Sequence, residues 1–255
     1  MKTRRIVASA CVAVTAVAVV ACGSRPASAD PADGIAGCPT GSRADEPVVL
    51  VHGWQPLSSF GQDGASRSMG ELESVLRTDG RCVYRPDYDS DADPEQLVEQ
   101  FTDAVHKILE VNHASSVDLV GHSYGGLIVR AVSMRFTDEA NLVNKVIAIS
   151  GPQTAPGRLS GLNPAAKSYI QSLNSGPSPV AASVQYTMIA THEDQISVPP
   201  DIAFLNAPNV HNIWLQDGCP QDRSGHITEM RDPRLIGLVT NALDPNLHPA
   251  IPCEA

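Results

Sequence analysis

The chain has 255 residues, with 18 Lys and Arg against 28 Asp and Glu, which gives a formal net charge of -10 at pH 7. An acidic chain without a basic stripe is poorly suited to a phosphate backbone, so nucleic acid is excluded as an expected partner. The length suits a single domain with a full-sized hydrophobic core, and the sequence contains no internal repeat.

Residues 1–29 have the pattern of a secretory signal peptide. Basic residues within 2–5 precede an apolar run at 6–21, and Ala27-Ser28-Ala29 forms an A-x-A cleavage site. The apolar run is short for a membrane span, so we expect no integral span and a secreted, extracellular protein. An alternative is a cell-surface lipoprotein anchored at Cys22, because the residues before this cysteine resemble a bacterial lipobox.

Four cysteines remain after the leader: Cys38, Cys82, Cys219 and Cys253. An even number in an oxidising compartment predicts two disulfides. Three connectivities are possible, and we favour Cys38 with Cys82 and Cys219 with Cys253, because each pair joins segments expected to be neighbours. The absence of a Cys-x-x-Cys spacing argues against a metal or redox site.

In chain order, strand patterns alternate with helix patterns. The apolar run 47–51 predicts a strand buried on both faces. Further strands are predicted at 82–86, 117–121, 144–150, 184–190 and 211–215, with helices near 69–76, 94–109, 124–130 and 233–243. This alternation predicts an α/β fold, with a mainly parallel sheet of about six strands covered by helices on both faces.

Two intervening segments are predicted to be loops. Residues 87–93 are rich in aspartate, but Pro94 stands where a calcium-binding EF-hand loop needs glycine, so we expect no metal there. Asp93 instead fits the N-cap of a helix that has Pro94 in its first turn. Residues 151–183 are rich in Gly, Pro, Ser and Ala and predict a substrate-facing loop, with little or no lid.

The sequence Gly121-His122-Ser123-Tyr124-Gly125 lies between a predicted buried strand and a predicted helix. Gly-x-Ser-x-Gly in this context is typical of a nucleophile elbow, which exposes the serine hydroxyl at the end of the sheet. Ser123 is therefore the predicted nucleophile.

A serine hydroxyl needs a general base, and that base needs an acid to orient it. In an α/β-hydrolase the chain order is serine, acid and histidine, which Ser123, Asp194 and His226 satisfy. Alternatives remain for the last two positions. Glu193 is a neighbouring acid and Asp201 and Asp217 are less well placed, whereas His211 and His248 also follow the acid in sequence.

Around these residues the sequence resembles the small secreted bacterial lipases of the class 2 lipase family, within the α/β-hydrolase superfamily. The segments that carry the resemblance are 48–54, 118–130, 145–151 and the acid and histidine loops. The resemblance implies a carboxylester hydrolase (triacylglycerol lipase or esterase) acting on acylglycerols or related esters, with an oxyanion hole built from the backbone N-H groups of Trp54 and Tyr124. The sequence departs from many relatives at Gln55-Pro56, where they carry further glycine, and in its set of cysteines.

Within this reading, residues 30–46 form an N-terminal extension and 47–255 a single catalytic domain. No cofactor is expected, and the protein is expected to be a monomer. Two alternatives remain open: an acyltransferase that passes the same acyl group to an alcohol, and a binding protein that keeps the hydrolase fold without catalysis.

Overall fold

A computed structural model of the chain describes residues 30–54, 68–136, 141–154, 158–159, 164–244, 246 and 251–253. The predicted signal peptide, Cys22 and Gln55-Pro56 lie outside these ranges. Within the ranges, no helix has the length and apolar character needed to cross a bilayer.

Six strands form one sheet in the order β2-β1-β3-β4-β6-β8, and every neighbouring pair is parallel. The strands are β1 (Arg43–Val51), β2 (Arg81–Tyr84), β3 (Val117–His122), β4 (Val143–Ile149), β6 (Gln185–Ala190) and β8 (Val210–Trp214). Two short strands, β5 (Arg158–Leu159) and β7 (Ser197–Val198), pair antiparallel beside this sheet. The predicted parallel sheet is confirmed.

Five α-helices cover the two faces of the sheet: α1 (Gly70–Thr78), α2 (Pro94–Asn112), α3 (Tyr124–Arg135), α4 (Pro164–Leu173) and α5 (Pro233–Leu243). Because side chains alternate along a strand, Val49 and Val51 pack with α2, α3 and α4, whereas Val48 and Leu50 pack with α1 and α5. Two apolar cores thus lie on opposite faces of the sheet, which confirms the predicted layers.

Local sequence signals account for the ends of two helices. The carboxylate of Asp93 accepts hydrogen bonds from the backbone N-H groups of Glu95 and Gln96, as predicted for the N-cap of α2. Asp232 does the same for the N-H of Arg234 at the start of α5. Proline at the first position of each helix needs no partner for an N-H group, so it favours these boundaries.

The prediction of a loop throughout 151–183 is wrong, because α4 occupies ten residues of that segment. Only Ala166 and Ile170 of this helix are buried. These two positions are one helical turn apart, and one of them is alanine. They give an apolar repeat too weak to be recognised among the surrounding polar residues. The first strand also begins at Arg43, within the predicted extension, where it pairs with Arg81 of β2.

Two disulfides join Cys38 to Cys82 and Cys219 to Cys253, the pairs favoured from the sequence. The first ties the N-terminal extension to β2. The second ties the segment after β8 to the end of the described chain. Each therefore fastens a segment outside the sheet to the sheet or its neighbouring loops.

Candidate active site

Ser123 lies between β3 and α3 with φ 53° and ψ -124°. Positive φ is unfavourable for a residue with a side chain and occurs where the surroundings enforce it, often at functional sites. The N-H of Ser123 donates to the carbonyl of Ile149 across 2.8 Å, and the Ser123 carbonyl accepts from the N-H of Gly126 across 2.9 Å. The backbone of the elbow is thus held by β4 on one side and by the first turn of α3 on the other.

Glycine is required around Ser123 because backbone segments approach closely. A Cβ atom at Gly121 would collide with the backbone of Gly125, and one at Gly125 would collide with the carbonyl of Val51. A Cβ at Gly53 would lie 2.9 Å from the Cβ of Ser123. The turn after β1 therefore packs directly against the nucleophile elbow.

The structure brings Asp194 and His226 together. His226 Nδ1 lies 2.7 Å from Asp194 Oδ2, and both side chains are buried. Because a carboxylate accepts, Nδ1 carries the proton and Nε2 of the neutral ring is left as the acceptor that a general base needs. The other oxygen of Asp194 accepts from the N-H groups of Ile196 and Ser197, each at 2.8 Å, which fixes the carboxylate in the turn after β6.

The competing acids lie elsewhere. Glu193 faces Arg223, with 3.4 Å between Oε1 and Nη1, in an exposed ion pair. Asp217 accepts from the backbone N-H of Trp214, and Asp201 is exposed in a short 3-10 helix. Among the competing histidines, His211 is exposed on β8, and His248 lies outside the described residues.

The ring of His226 contacts the ring of His122, which places His226 beside the elbow. The ring centroids of His122 and His226 are 4.9 Å apart, and His122 directly precedes Ser123. Among the described residues, no hydrogen bond joins Ser123 to His226. Such bonds are often long in hydrolases without substrate and shorten in the reacting complex.

The two predicted oxyanion donors lie at the ends of neighbouring strands. Trp54 follows Gly53 at the end of β1, and its indole N-H donates to Asp91 across 2.8 Å. Tyr124 is the first residue of α3, where backbone N-H groups have no partner within the helix. A helix N-terminus also carries a partial positive charge, which favours an anion at this position.

Sequence reasoning missed the packing that supports the turn after β1. The rings of His52 and Tyr88 stack at 4.2 Å, and the Tyr88 hydroxyl donates to the His52 carbonyl across 2.6 Å. Burial lowers the pKa of His52 to about 4, so this ring is neutral at pH 7. Tyr88 belongs to the aspartate-rich segment 87–93, which by composition alone indicated only a loop.

A second buried acid, Glu229, lies near His226 and was also missed. It occupies the 3-10 helix Thr228–Arg231, and its Oε1 lies 3.5 Å from His122 Nε2. One ligand atom from each of His122, His226 and Glu229 lies within 4.8 Å of the others. Since His226 Nδ1 is already bonded to Asp194 and His122 Nε2 to the His226 carbonyl, we assign no metal to this group, and the absence of a metal stays a prediction.

Comparison with known proteins identifies a matching family and several relatives. The sequence profile of the palmitoyl protein thioesterase family matches residues 47–199, a range that includes Ser123 and Asp194. A triacylglycerol lipase of Vibrio cholerae serotype O1 is 36% identical over 108 residues, which cover 41% of this chain and 32% of the lipase. A triacylglycerol lipase of Pseudomonas fragi is 29% identical over 106 residues, which cover 42% of this chain and 34% of that lipase. The matched regions thus span about a third of the length of these curated relatives.

Among solved structures, lipase B of Aspergillus fumigatus superposes with a TM-score of 0.64 and 22% sequence identity. The superposition covers 80% of this chain and 53% of the lipase. At this identity the similarity establishes the fold, which is that of the α/β-hydrolases.

Proposed function

Because the chain belongs to the palmitoyl protein thioesterase family, we propose that it is a serine hydrolase of carboxylic esters, with Ser123 as nucleophile, His226 as general base and Asp194 as the orienting acid. The observation that carries the proposal is the buried 2.7 Å contact between His226 Nδ1 and Asp194 Oδ2, in loops beside the strained serine of the elbow. We also propose that, within the lipases and esterases, the protein is a member of the class 2 lipase family.

In the proposed reaction, His226 Nε2 accepts the Ser123 proton as Oγ attacks the ester carbonyl. The negative charge that develops on the carbonyl oxygen is stabilised by the backbone N-H groups of Trp54 and Tyr124. His226 then protonates the leaving alcohol. Water, deprotonated by the same ring, hydrolyses the acyl-enzyme and restores Ser123.

The substrate is proposed to be an acyl ester of a lipid, because the curated relatives with matching segments are named triacylglycerol lipases. The family name favours a second candidate, an acyl thioester, which the same serine and histidine would cleave through the same acyl-enzyme. A thiolate is a better leaving group than an alkoxide, so cleavage of a thioester depends less on protonation by His226.

The test compares the mature protein with Ser123→Ala on p-nitrophenyl esters of increasing acyl length and on palmitoyl coenzyme A. We expect the wild type to cleave at least one series and the variant to lose about a million-fold in turnover. The preferred acyl length and the ratio of ester to thioester rates identify the substrate class. If both proteins are equally inactive on all of them, the proposal fails.

We also propose that the protein is exported, cleaved after Ala29 and monomeric, with residues 47–255 as its catalytic domain. Support comes from the two disulfides, which are typical of oxidising compartments. Mass spectrometry of the protein recovered from culture medium tests the cleavage site. A mature chain that begins with a lipidated Cys22 would indicate the lipoprotein alternative instead.

A further inference from the structure

Glu229 is fully buried three residues after His226. Neither of its carboxylate oxygens has a hydrogen-bond partner among the described residues. Burial of a carboxylate in this state is costly unless a nearby group offers positive charge or a proton, and such groups in native proteins usually have a functional reason. No step of the proposed reaction involves Glu229.

The group facing Glu229 is the imidazole of His122. His122 Nε2 lies 3.5 Å from Glu229 Oε1 and 2.9 Å from the backbone carbonyl of His226. A carbonyl only accepts, so His122 Nε2 carries a proton and donates it to the His226 carbonyl, while Glu229 Oε1 lies beside this N-H without a hydrogen bond. The His122 ring is therefore bonded to the backbone of the His226 loop and lies next to the Glu229 carboxylate.

Glu229 also lies within reach of the base itself. One carboxylate oxygen of Glu229, one ring nitrogen of His122 and one ring nitrogen of His226 all lie within 4.8 Å of one another. Charges at such distances, in a site shielded from water, interact far more strongly than at the surface. When His226 accepts the Ser123 proton, its ring gains a positive charge that faces Asp194 on one side and Glu229 on another.

We propose that Glu229 is a positioning residue for the hydrolase: a buried anion that stabilises the imidazolium form of His226 and orients His122, which holds the His226 backbone beside Ser123. This inference rests on the proposed function. Among the described residues, the titratable groups that contact His226 or lie close to it are Asp194 after β6, His122 at the end of β3 and Glu229. His52, at the end of β1, interacts electrostatically with His122 and is uncharged at pH 7, because burial lowers its pKa to about 4.

The test replaces Glu229 with glutamine, which keeps the shape and removes the charge. We would follow the His226 ring by NMR in histidine-labelled protein and record kcat/KM against pH. Without the anion the imidazolium is less stable, so we expect the His226 titration midpoint and the acid limb of the profile to move down by about one pH unit. The corresponding loss in kcat is about tenfold.

Two further variants separate charge from structure. Glu229→Asp keeps the charge and should return the midpoint toward the wild-type value. Glu110→Gln removes an exposed glutamate of α2 that pairs with Lys107, and should leave the midpoint and kcat unchanged. A folded Glu229→Gln protein with the wild-type midpoint would overturn the inference.

If Glu229→Gln does not fold, His122→Gln provides the test. The glutamine amide can still donate to the His226 carbonyl. Without the His122 imidazole beside it, the Glu229 charge acts more strongly on His226, so the midpoint should rise. An unchanged or lowered midpoint in this variant would contradict the proposal.

The NMR readout needs no turnover, which separates the two proposals. A wild type that cleaves esters through Ser123, with an unchanged midpoint in Glu229→Gln, refutes the role of Glu229 alone. A lowered midpoint in Glu229→Gln, together with a wild type that is inactive on every ester and thioester, supports the electrostatic link and refutes the proposed function.

Discussion

His226 Nδ1 donates a hydrogen bond to Asp194 Oδ2 across 2.7 Å, and both side chains are about 2% exposed. In water such a contact would contribute little, because water competes for both groups. In a buried site it fixes the ring orientation and the position of its proton.

We therefore predict that Asp194→Asn lowers kcat by about four orders of magnitude, because the amide no longer holds the imidazole in the tautomer that accepts the Ser123 proton. Steady-state hydrolysis of a p-nitrophenyl ester measures this loss. Glu193→Gln is the matched control, since Glu193 is adjacent, exposed and paired with Arg223. Should Glu193→Gln lose activity while Asp194→Asn keeps it, the assignment of the acid would be reversed.

Gly53→Ala should impair catalysis with little effect on the fold elsewhere. The added methyl group would lie 2.9 Å from Ser123 Cβ and 3.3 Å from the His122 carbonyl, so the elbow or the turn after β1 must shift. A displacement of this kind should cost about a hundredfold in kcat/KM. Gly70→Ala, where the methyl group meets open space in α1, is the control and should keep full activity. Equal activities of the two variants would show that the turn is not part of the site.

Asp118 should make the protein less stable as pH rises from about 4 to 6. Burial raises its pKa from 3.8 to about 6, so over this range the folded state binds more protons than the unfolded state. Above pH 6 the destabilisation is about 3 kcal/mol. It fades below pH 4 and is absent by about pH 3, where the carboxyl group is protonated in both states.

The measurement is urea unfolding of the wild type and Asp118→Asn at pH 4 and pH 7. His52 acts in the opposite direction, because its lowered pKa makes stability rise with pH over part of the same range. The informative quantity is therefore the change with pH in the difference between the two proteins. If that difference is the same at both pH values, Asp118 does not titrate as described.

Loss of the Cys219–Cys253 disulfide should lower the free energy of unfolding by about 3 to 4 kcal/mol, since it closes a loop with a sequence separation of 34. Substitution of both cysteines by serine, followed by calorimetry, measures the effect. The same double substitution at Cys38 and Cys82, with a separation of 44, should give a similar loss and serves as the comparison. No change in melting temperature in either variant would refute the contribution of these crosslinks.

The parallel sheet could be predicted because its strands are short apolar runs that alternate with helical patterns. The strained turn at Ser123 was predictable for a related reason, since it requires small residues at Gly121 and Gly125, and these leave a recognisable sequence. Asp194 was expected because it follows a strand at the edge where the ligands of such sheets bind.

Other parts of the site left no local pattern. Glu229 and Tyr88 contact residues more than 30 positions away, so their placement beside the site depends on how distant segments meet. Neither residue type is unusual in its segment. Helix α4 was missed because only two of its residues are buried. A helix is recognised in a sequence mainly by its repeat of buried apolar residues, more than by helical propensity.

The order of the groups along the chain determines when they can work together. Ser123 follows the third strand, Asp194 the sixth, and His226 lies beyond the eighth, so about a hundred residues separate the proposed nucleophile from its proposed base. A partly synthesised or partly folded chain presents the serine without the imidazole that activates it. In the proposed mechanism hydrolysis requires that β8 and the loop beyond it have docked, so the onset of ester cleavage during refolding would report when this part of the chain has joined the sheet.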